Sequence, residues 1–476
     1  MFTQRVARWA TAAVLLLAVT GCLWPSPPGP KEPAPSGPAD RSARPQAWPP
    51  PDPHRPQVEL SYRIADDLRS ATGSERVLFR PDAPVCELVF RTWVNVTTDG
   101  DSNQVLAITD ATVDGSARPV RMSVQDTLAT VPLPRCVPAG TPVEVVLKFT
   151  LDPVPGLDER TSRTKDLAWF ATAYPLLAWQ RGVGWVQDRP QRVAGETVTS
   201  ETFALQGLRI TAASRWQVAG VGEPAEVTTD PRSGLRTHTF RAPALRDVSF
   251  TVGRLVSETV RVAGSTVHLS LPAASTRSPM ASWRTTVKRQ LGAISDYLGP
   301  VPYEHMWITV IPAMDTGLEM PGGAFLGDVK LRRERWLLAH ELAHLWFFGL
   351  VGNNQARDPW LDEAFASFVA DVVQQQADST GENHVPRRLK GSLGQPMSYW
   401  ADSRHPDKDY VNGVYAAGAQ VLADARAAGP AEDFDAAVRD YLYDNAHTVA
   451  ERTDVAAAFA ADPAALQVLR DAGALP

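Results

Sequence analysis

The 476-residue sequence is poor in cysteine, in clustered basic residues and in long apolar runs. Its three cysteines are too few for a scaffold held together by disulfides, so the fold must depend on hydrophobic cores. The 47 basic and 53 acidic residues give a formal net charge of -6, and no cluster of lysine and arginine interrupts this balance. This argues against a nucleic-acid-binding protein. Hydrophobic residues at 44% and charged residues at 21% exclude a wholly disordered chain or a coiled coil.

The N-terminal residues have the pattern of an export signal. Arg5 and Arg8 accompany an apolar run from Trp9 to Val19, which is too short to span a bilayer. Small residues then lead to Cys22, and this arrangement resembles a bacterial lipobox. The resemblance implies that residues 1–21 are a cleaved signal peptide and that Cys22 is acylated. The protein would then be an exported lipoprotein on the extracytoplasmic face of a bacterial cell membrane. An ordinary secretory signal with an incidental cysteine is the alternative.

Proline is concentrated directly after Cys22, with 13 of the 40 prolines between Pro25 and Pro56. Such a composition favours extended polyproline II and cannot build a core, so residues 22–56 are predicted to be a linker. Export would also place Cys86 and Cys136 in an oxidising compartment. There we expect them to form a structural disulfide, since both lie in strand-like sequence.

The spacing of hydrophobic residues changes near residue 272. From residue 57 to residue 272, apolar and polar residues alternate, as they do from Val143 to Leu151, and glycine, proline and aspartate mark frequent turns. This pattern predicts an antiparallel β-rich domain. From Trp283 to Leu298, apolar residues recur every three or four positions, which predicts a helix ended by Gly299 and Pro300.

Further helices are predicted over Arg333 to Leu350, from Pro359 to about Gln375, and in the alanine-rich stretch from Ala416 onwards. A short strand is predicted from Trp307 to Ile311. The fold class is therefore α+β with several domains. An N-terminal β domain over residues 57–272 is followed by a mixed α/β domain over residues 273–476 that ends in helices.

The residues suited to chemistry lie close together in one segment. His340 and His344 are four residues apart, so a helix directs both imidazoles to one side, and Glu341 lies beside that side. Two imidazoles can bind zinc while the glutamate remains free to act on a water molecule. A catalytic zinc needs a third protein ligand. Glu363 is the candidate, because eighteen residues separate it from His344 and it lies in the first turn of the next predicted helix. The apolar residues around both histidines leave little polar face for an exposed helix, so a buried metal is expected.

These residues and their surroundings resemble the aminopeptidase N family of gluzincin zinc metallopeptidases. Beyond the histidine motif and the glutamate, the stretch from Thr316 to Gly322 resembles the exopeptidase motif of that family. Val414 to Ala419 resembles its segment with a catalytic tyrosine. The family implies an N-terminal saddle-like β domain and a thermolysin-like catalytic domain. Because about 45 residues follow Gly429 in the sequence, a short helical C-terminus is expected in place of the large helical domain of long family members.

The resemblance also implies a role for each site residue. One Zn²⁺ per chain would be held by His340, His344 and Glu363, with Glu341 as general base and Tyr415 as oxyanion donor. Tyr410 is the alternative tyrosine. Glu319 would bind the free α-ammonium of a peptide, so the expected partners are peptides with a free N-terminus and, through the lipid, a membrane. Asp358 is expected either to cap the helix after it or to orient a ligand histidine.

Three functional hypotheses remain open from the sequence. The first is an exported, lipid-anchored zinc aminopeptidase. The second is a zinc endopeptidase or dipeptidyl-type enzyme on the same scaffold. The third is a catalytically inactive lipoprotein that keeps the fold for binding.

Overall fold

The computed structural model describes residues 44–96, 105–123, 127–155, 160–191, 193, 199–374 and 386–476. These residues belong to one compact unit that extends from Arg41 to Pro476. The predicted signal peptide, Cys22 and the predicted linker as far as residue 43 lie outside the described residues. None of the helices in the described part of the chain combines the length and the apolar character that a bilayer crossing requires.

The described residues between 57 and 253 form strands and a single turn of 3-10 helix at Trp93–Asn95. The strands, in chain order, are β1 Gln57–Ile64, β2 Ala71–Phe79, β3 Val85–Arg91, β4 Leu106–Val113, β5 Ser116–Ala117, β6 Arg121–Ser123, β7 Leu128–Val137, β8 Val143–Leu151, β9 Val154–Pro155, β10 Thr161–Arg163, β11 Leu167–Ala171, β12 Leu176–Leu177, β13 Trp179–Gln180, β14 Gly184–Trp185, β15 Phe203–Ala213, β16 Gln217–Ala219, β17 Glu223–Thr229, β18 Leu235–Leu245 and β19 Ser249–Gly253.

The largest sheet has eight strands in the order β17-β18-β15-β1-β2-β8-β4-β5. Its strands alternate between buried and more exposed residues, as β8 shows over its whole length, because one face packs on a core and the other does not. A five-stranded sheet, β16-β19-β11-β10-β9, and a four-stranded sheet, β12-β3-β7-β6, supply residues to the same core. Within the four-stranded sheet, a disulfide joins Cys86 on β3 to Cys136 on β7.

The second half of the chain mixes strands with helices. Its elements are β20 Leu255–Val262, β21 Ser265–Pro272, α1 Met280–Leu298, β22 His305–Ile311, β23 Gly317–Met320, β24 Gly323–Gly327, α2 Arg335–Ala343, β25 Gly352–Asn353, α3 Trp360–Val373, a 3-10 turn Arg387–Leu389, α4 Met397–Ala401, α5 Pro406–Tyr410, a π-helix Val411–Ala416, α6 Ala417–Ala427, α7 Ala431–Asp444, β26 Val449–Ala450, α8 Arg452–Ala458 and α9 Pro463–Asp471. With the β-rich half, they give the predicted α+β fold.

The sheet of this half has the order β20-β21-β22-β24-β23, and β23 forms its edge. The hairpin β20–β21 precedes residue 272, yet β21 pairs in parallel with β22. Periodicity places both strands in the β-rich half, because alternation shows only that a segment is a strand and not which partner it pairs with. By hydrogen bonding, the hairpin belongs to the sheet beside the helices.

The helix predicted from Arg333 to Leu350 is shorter in the structure. It ends at Ala343, with His344 still in helical conformation, and the chain then turns through Phe348, whose φ is 94°. The amide of Gly349 donates to the carbonyl of His344 over 2.9 Å within this turn. All residues of the turn are buried, so its sequence is continuously apolar, like that of a buried helix. The sequence alone therefore does not distinguish the turn from a continuation of the helix.

The predicted linker is wrong for residues 44–56, which contact the folded body. Trp48 is half-buried against the helical core, and its Nε1–H donates to the carbonyl of Pro300 over 2.8 Å. Arg55 donates to the carbonyl of Pro243 over 3.0 Å, and Asp52 pairs with Arg181 over 3.1 Å. The aromatic ring and the charged side chains among the prolines supply contacts that the proline content alone does not predict. We call residues 44–56 the N-terminal strap.

Candidate metal and active site

Two facing helices hold the predicted metal ligands. His340 lies in the last turn of α2 and His344 directly follows that helix, so both imidazoles point in one direction. Glu363 lies in the first turn of α3, which packs against α2. All three side chains are buried, with exposed fractions of 4%, 1% and 3%.

The ligand atoms converge at the spacing that zinc requires. His340 Nε2 and His344 Nε2 are 3.1 Å apart, and Glu363 Oε2 lies 3.2 Å from the first and 3.4 Å from the second. Four ligands at about 2.0–2.1 Å around a tetrahedral zinc are separated by roughly 3.3 Å. Glu363 Oε2 is buried and accepts no hydrogen bond from the described residues. The residues therefore fit a zinc ion that would satisfy this oxygen and both nitrogens.

The charge around this point also favours a cation. Burial alone would lower the pKa of His344, but the carboxylates of Glu363, Glu319 and Glu341 raise that pKa to about 10. Burial tends to raise the pKa of Glu363, yet the two histidines hold it well below its usual range. The acidic side chains thus create a negative potential at a buried site. Because solvent screens charges less there than at the surface, this potential stabilises a bound cation more strongly.

Glu341 lies beside the ligands and is buried, with 4% of its surface exposed. Its carboxylate lies within 4.8 Å of ligand atoms of His344 and Glu319. The backbone of Gly317 passes so close that a Cβ atom there would lie 2.2 Å from Glu341 Oε1. Only a residue without a side chain at position 317 leaves room for the Glu341 carboxylate in its observed position. The sequence pattern did not reveal this role of Gly317.

Glu319 reaches the same site from the edge strand β23. It is 5% exposed, and its Oε1 atom accepts no hydrogen bond from the described residues. Burial raises the pKa of Glu319, and the charge of His344 opposes this. An unsatisfied buried carboxylate beside the candidate ligands is suited to receive a positively charged donor from a ligand.

Tyr415 is positioned by the π-helix Val411–Ala416, a rare conformation that is frequent at functional sites. Its ring stacks on His340, with centroids 5.6 Å apart and planes at 25°. Burial and then the charge of Glu363 raise the pKa of Tyr415 well above its usual range, so the hydroxyl keeps its proton at neutral pH. Tyr410 lies next to it, with ring centroids 5.6 Å apart, and is almost fully buried.

Two further acidic residues lie just before α3 and in its first turn. Asp358 makes neither of its predicted contacts: its Oδ1 accepts from Arg452 Nε over 2.8 Å, and no side-chain cap is present on α3. Asp362 is buried beside Glu363 and accepts from Gln355 over 2.8 Å. Burial and the charge of Glu363 raise the pKa of Asp362 to about 8.

Comparison with known proteins identifies the segment that holds these ligands. The family model described as the Peptidase family M1 domain matches residues 327–470. Aminopeptidase N of Haemonchus contortus is 31% identical over 147 residues, which are 28% of this chain and 15% of that protein. Tricorn protease-interacting factor F2 of Thermoplasma volcanium is 26% identical over 197 residues, 35% of this chain and 24% of that protein. The matches thus span less than a quarter of the length of each relative.

Solved structures share the fold over most of the chain. An M1 zinc metallopeptidase from Deinococcus radiodurans has a TM-score of 0.64 at 19% identity, covering 88% of this chain and 92% of that one. A mutant of that metallopeptidase bound to a Tyr-Ser-Ala substrate has a TM-score of 0.62 at 19% identity, covering 88% and 94%. The β-rich half and the helical half are therefore arranged as one known fold. The segment that the Peptidase family M1 domain model matches, residues 327–470, includes His340, His344 and Glu363.

Proposed function

We propose that this protein is a zinc metallopeptidase that removes N-terminal residues from peptides. The observation that carries the proposal is the convergence of His340 Nε2, His344 Nε2 and Glu363 Oε2 at 3.1–3.4 Å from one another. Glu341 stands outside this set but within reach of it, which is the arrangement that hydrolysis requires. The family of the domain supports the same reading.

A bound zinc ion would polarise a peptide carbonyl and acidify a water molecule. Glu341 Oε1 or Oε2 takes the proton of the attacking water and then delivers it to the leaving amine. The protonated hydroxyl of Tyr415 donates a hydrogen bond to the carbonyl oxygen as negative charge develops there. Because the surrounding side chains are buried, few water molecules compete with these contacts.

The aminopeptidase assignment depends on Glu319. Its unsatisfied oxygen would accept a charge-assisted hydrogen bond from the α-ammonium of the substrate, worth about 1.5–3 kcal/mol. That contact would hold the first peptide bond of the substrate, and no later one, at the metal. The Deinococcus radiodurans protein binds a Tyr-Ser-Ala substrate, and a short peptide of this kind is the class of substrate that we propose for this site.

A panel of matched peptides with free and N-acetylated ends tests the proposal. We expect hydrolysis of free-amine peptides only, and zinc at one ion per chain by mass spectrometry. Glu341→Gln should keep the zinc and lose activity by about 10²–10⁴-fold, the usual contribution of a general base. Glu319→Ala should keep the zinc and lose about 10–100-fold in kcat/KM on free-amine peptides only, consistent with the loss of one charged hydrogen bond. Efficient cleavage of internal bonds in acetylated peptides would instead indicate an endopeptidase.

We further propose that the protein is an exported lipoprotein attached through Cys22. The support is the sequence alone, namely the basic residues, the apolar run and the small residues that lead to this cysteine. Cys22→Ser should abolish acylation and move the protein from the detergent phase to the aqueous phase. Unchanged partitioning would contradict the anchor without affecting the proposed peptidase activity.

A further inference from the structure

Polar side chains connect α2 and α3 at three levels. Three of these side chains lie on α2 or directly after it, and the other three lie on α3. Within each set the residues are four positions apart, so the three side chains of a set lie on one face. The facing pairs are His344 with Glu363, His340 with Ser367, and Trp336 with Asp371. The zinc ligands occupy the first two levels, whereas the third pair has no role in the proposed chemistry.

The third pair has the shortest of these contacts. Trp336 Nε1–H donates to Asp371 Oδ1 over 2.7 Å. Trp336 is only partly buried and belongs to none of the hydrophobic clusters formed by the described residues. Apolar packing therefore does not account for a tryptophan at this position.

The indole ring of Trp336 instead stacks on the imidazole of His340. The ring centroids are 4.9 Å apart and the planes differ by 21°. The ring of Tyr415 also stacks on His340, at 5.6 Å and 25°, so two aromatic rings contact this imidazole in nearly parallel orientation.

The two ligand histidines are oriented by different means. His344 Nδ1 lies 3.2 Å from the backbone carbonyl of Phe347, a partner that is fixed by the fold. His340 Nδ1 lies 3.3 Å from the Ser367 hydroxyl, at the long end of the range for a hydrogen bond. The orientation of His340 therefore depends more on the rings beside it.

We propose that Trp336 is a positioning residue for the zinc ligand His340 and that Asp371 holds Trp336 in place. The stacked indole restricts rotation of the imidazole, so that Nε2 stays directed at the point shared with His344 Nε2 and Glu363 Oε2. Loss of a group that orients a metal-binding histidine typically weakens metal binding by about 10–100-fold. This inference rests on the proposed zinc site and assigns two residues outside its ligand set to metal affinity.

Zinc dissociation constants, measured by chelator competition, test the inference in the full chain. Trp336→Leu removes the ring and the donor, and we expect about 10–100-fold weaker binding. Trp336→Phe keeps an aromatic ring but loses the hydrogen-bond donor, and Asp371→Ala removes the acceptor. The zinc dissociation constants of both variants should lie between those of Trp336→Leu and wild type. Asp371→Asn keeps an acceptor oxygen and should restore nearly normal binding. The visible spectrum of the Co²⁺-substituted protein should shift in the same order, because it reports ligand geometry.

Trp307 offers a matched control, since it stacks on His268 with centroids 4.0 Å apart and donates to the carbonyl of Gly222 over 2.8 Å. Trp307→Leu removes a tryptophan–histidine stack away from the metal ligands and should leave zinc affinity unchanged. Wild-type affinity in Trp336→Leu would overturn the inference. If that variant does not fold, wild-type affinity in both Trp336→Phe and Asp371→Ala would do so. Absence of zinc binding by the wild type would instead contradict the proposed function.

Discussion

Replacing Gly317 with alanine should displace Glu341 without disturbing the metal ligands. The new Cβ atom would lie 2.2 Å from Glu341 Oε1, 2.3 Å from Cδ and 2.5 Å from Cγ. Since non-bonded heavy atoms prefer separations of about 3.5 Å, relief requires a shift of about 1 Å. A displacement of that size can cost about 10²-fold in rate, within the 10²–10⁴-fold that a general base contributes. We expect kcat to fall by about 10²–10³-fold.

Turnover of an unblocked peptide and zinc content by mass spectrometry measure the two parts of this prediction. Zinc content should remain at the wild-type level. Gly292→Ala is the matched control, because Gly292 lies in α1 and a Cβ atom there would meet no atom within 4 Å. That variant should be fully active and gain up to about 1 kcal/mol in stability, since alanine favours a helix over glycine.

A double variant shows whether Gly317 acts through Glu341. Once Glu341→Gln has removed the base, Gly317→Ala should cost little more, because both changes then affect the same group. Near-normal kcat in Gly317→Ala would refute the reasoning. So would a full additional loss in the double variant, since it would indicate damage elsewhere in the site.

Three further predictions concern other parts of the molecule. Tyr415→Phe should keep zinc and lower kcat by about 10²–10³-fold, the usual loss for one oxyanion donor; an unchanged kcat would exclude that role. A protein beginning at residue 57 should be about 2–4 kcal/mol less stable in denaturant than one beginning at residue 44, because Trp48 loses its packing and its hydrogen bond; equal stability would show that the N-terminal strap is not stabilising. Burial raises the pKa of Asp247 from 3.8 to about 6, so its stabilising contribution is complete below about pH 4 and is lost as the pH rises through 6. Wild type should therefore lose roughly 2–3 kcal/mol of unfolding free energy relative to Asp247→Asn between pH 4 and pH 7, and a constant difference in unfolding free energy would contradict this.

The convergence of His340, His344 and Glu363 could be predicted from the sequence because their geometry is local. Two histidines four residues apart on a helix face one way, and Glu363 in the first turn of the following helix lies opposite them. Ser367 and Asp371 follow Glu363 at the same interval of four, so the spacing alone could have indicated that they share its face. What they contact depends on the packing of α2 against α3, which no spacing within one helix reveals.

Contacts between distant segments could not be predicted for the same reason. Alternation identified β20 and β21 as strands, but β22, the second partner of β21, follows a helix of 19 residues. Gly317 lies on an edge strand and Glu341 on a helix, and the structure brings the two residues into contact. The pattern of residues within either element does not reveal this contact. Asp358 has the sequence context of a helix cap, yet Arg452, far along the chain, supplies its partner.

The contacts of the N-terminal strap would also limit how far a lipid anchor at Cys22 could hold the active site from a membrane. If Cys22 carries the lipid, only residues 23–43 can bridge the bilayer and the folded body, because residues 44–56 are held against that body. Twenty-one residues at about 3.1 Å each, the rise of a polyproline II chain, would span roughly 65 Å, compared with roughly 100 Å if the strap were also free. The peptides within range of the enzyme would then be those that enter a layer of that depth above the lipid surface.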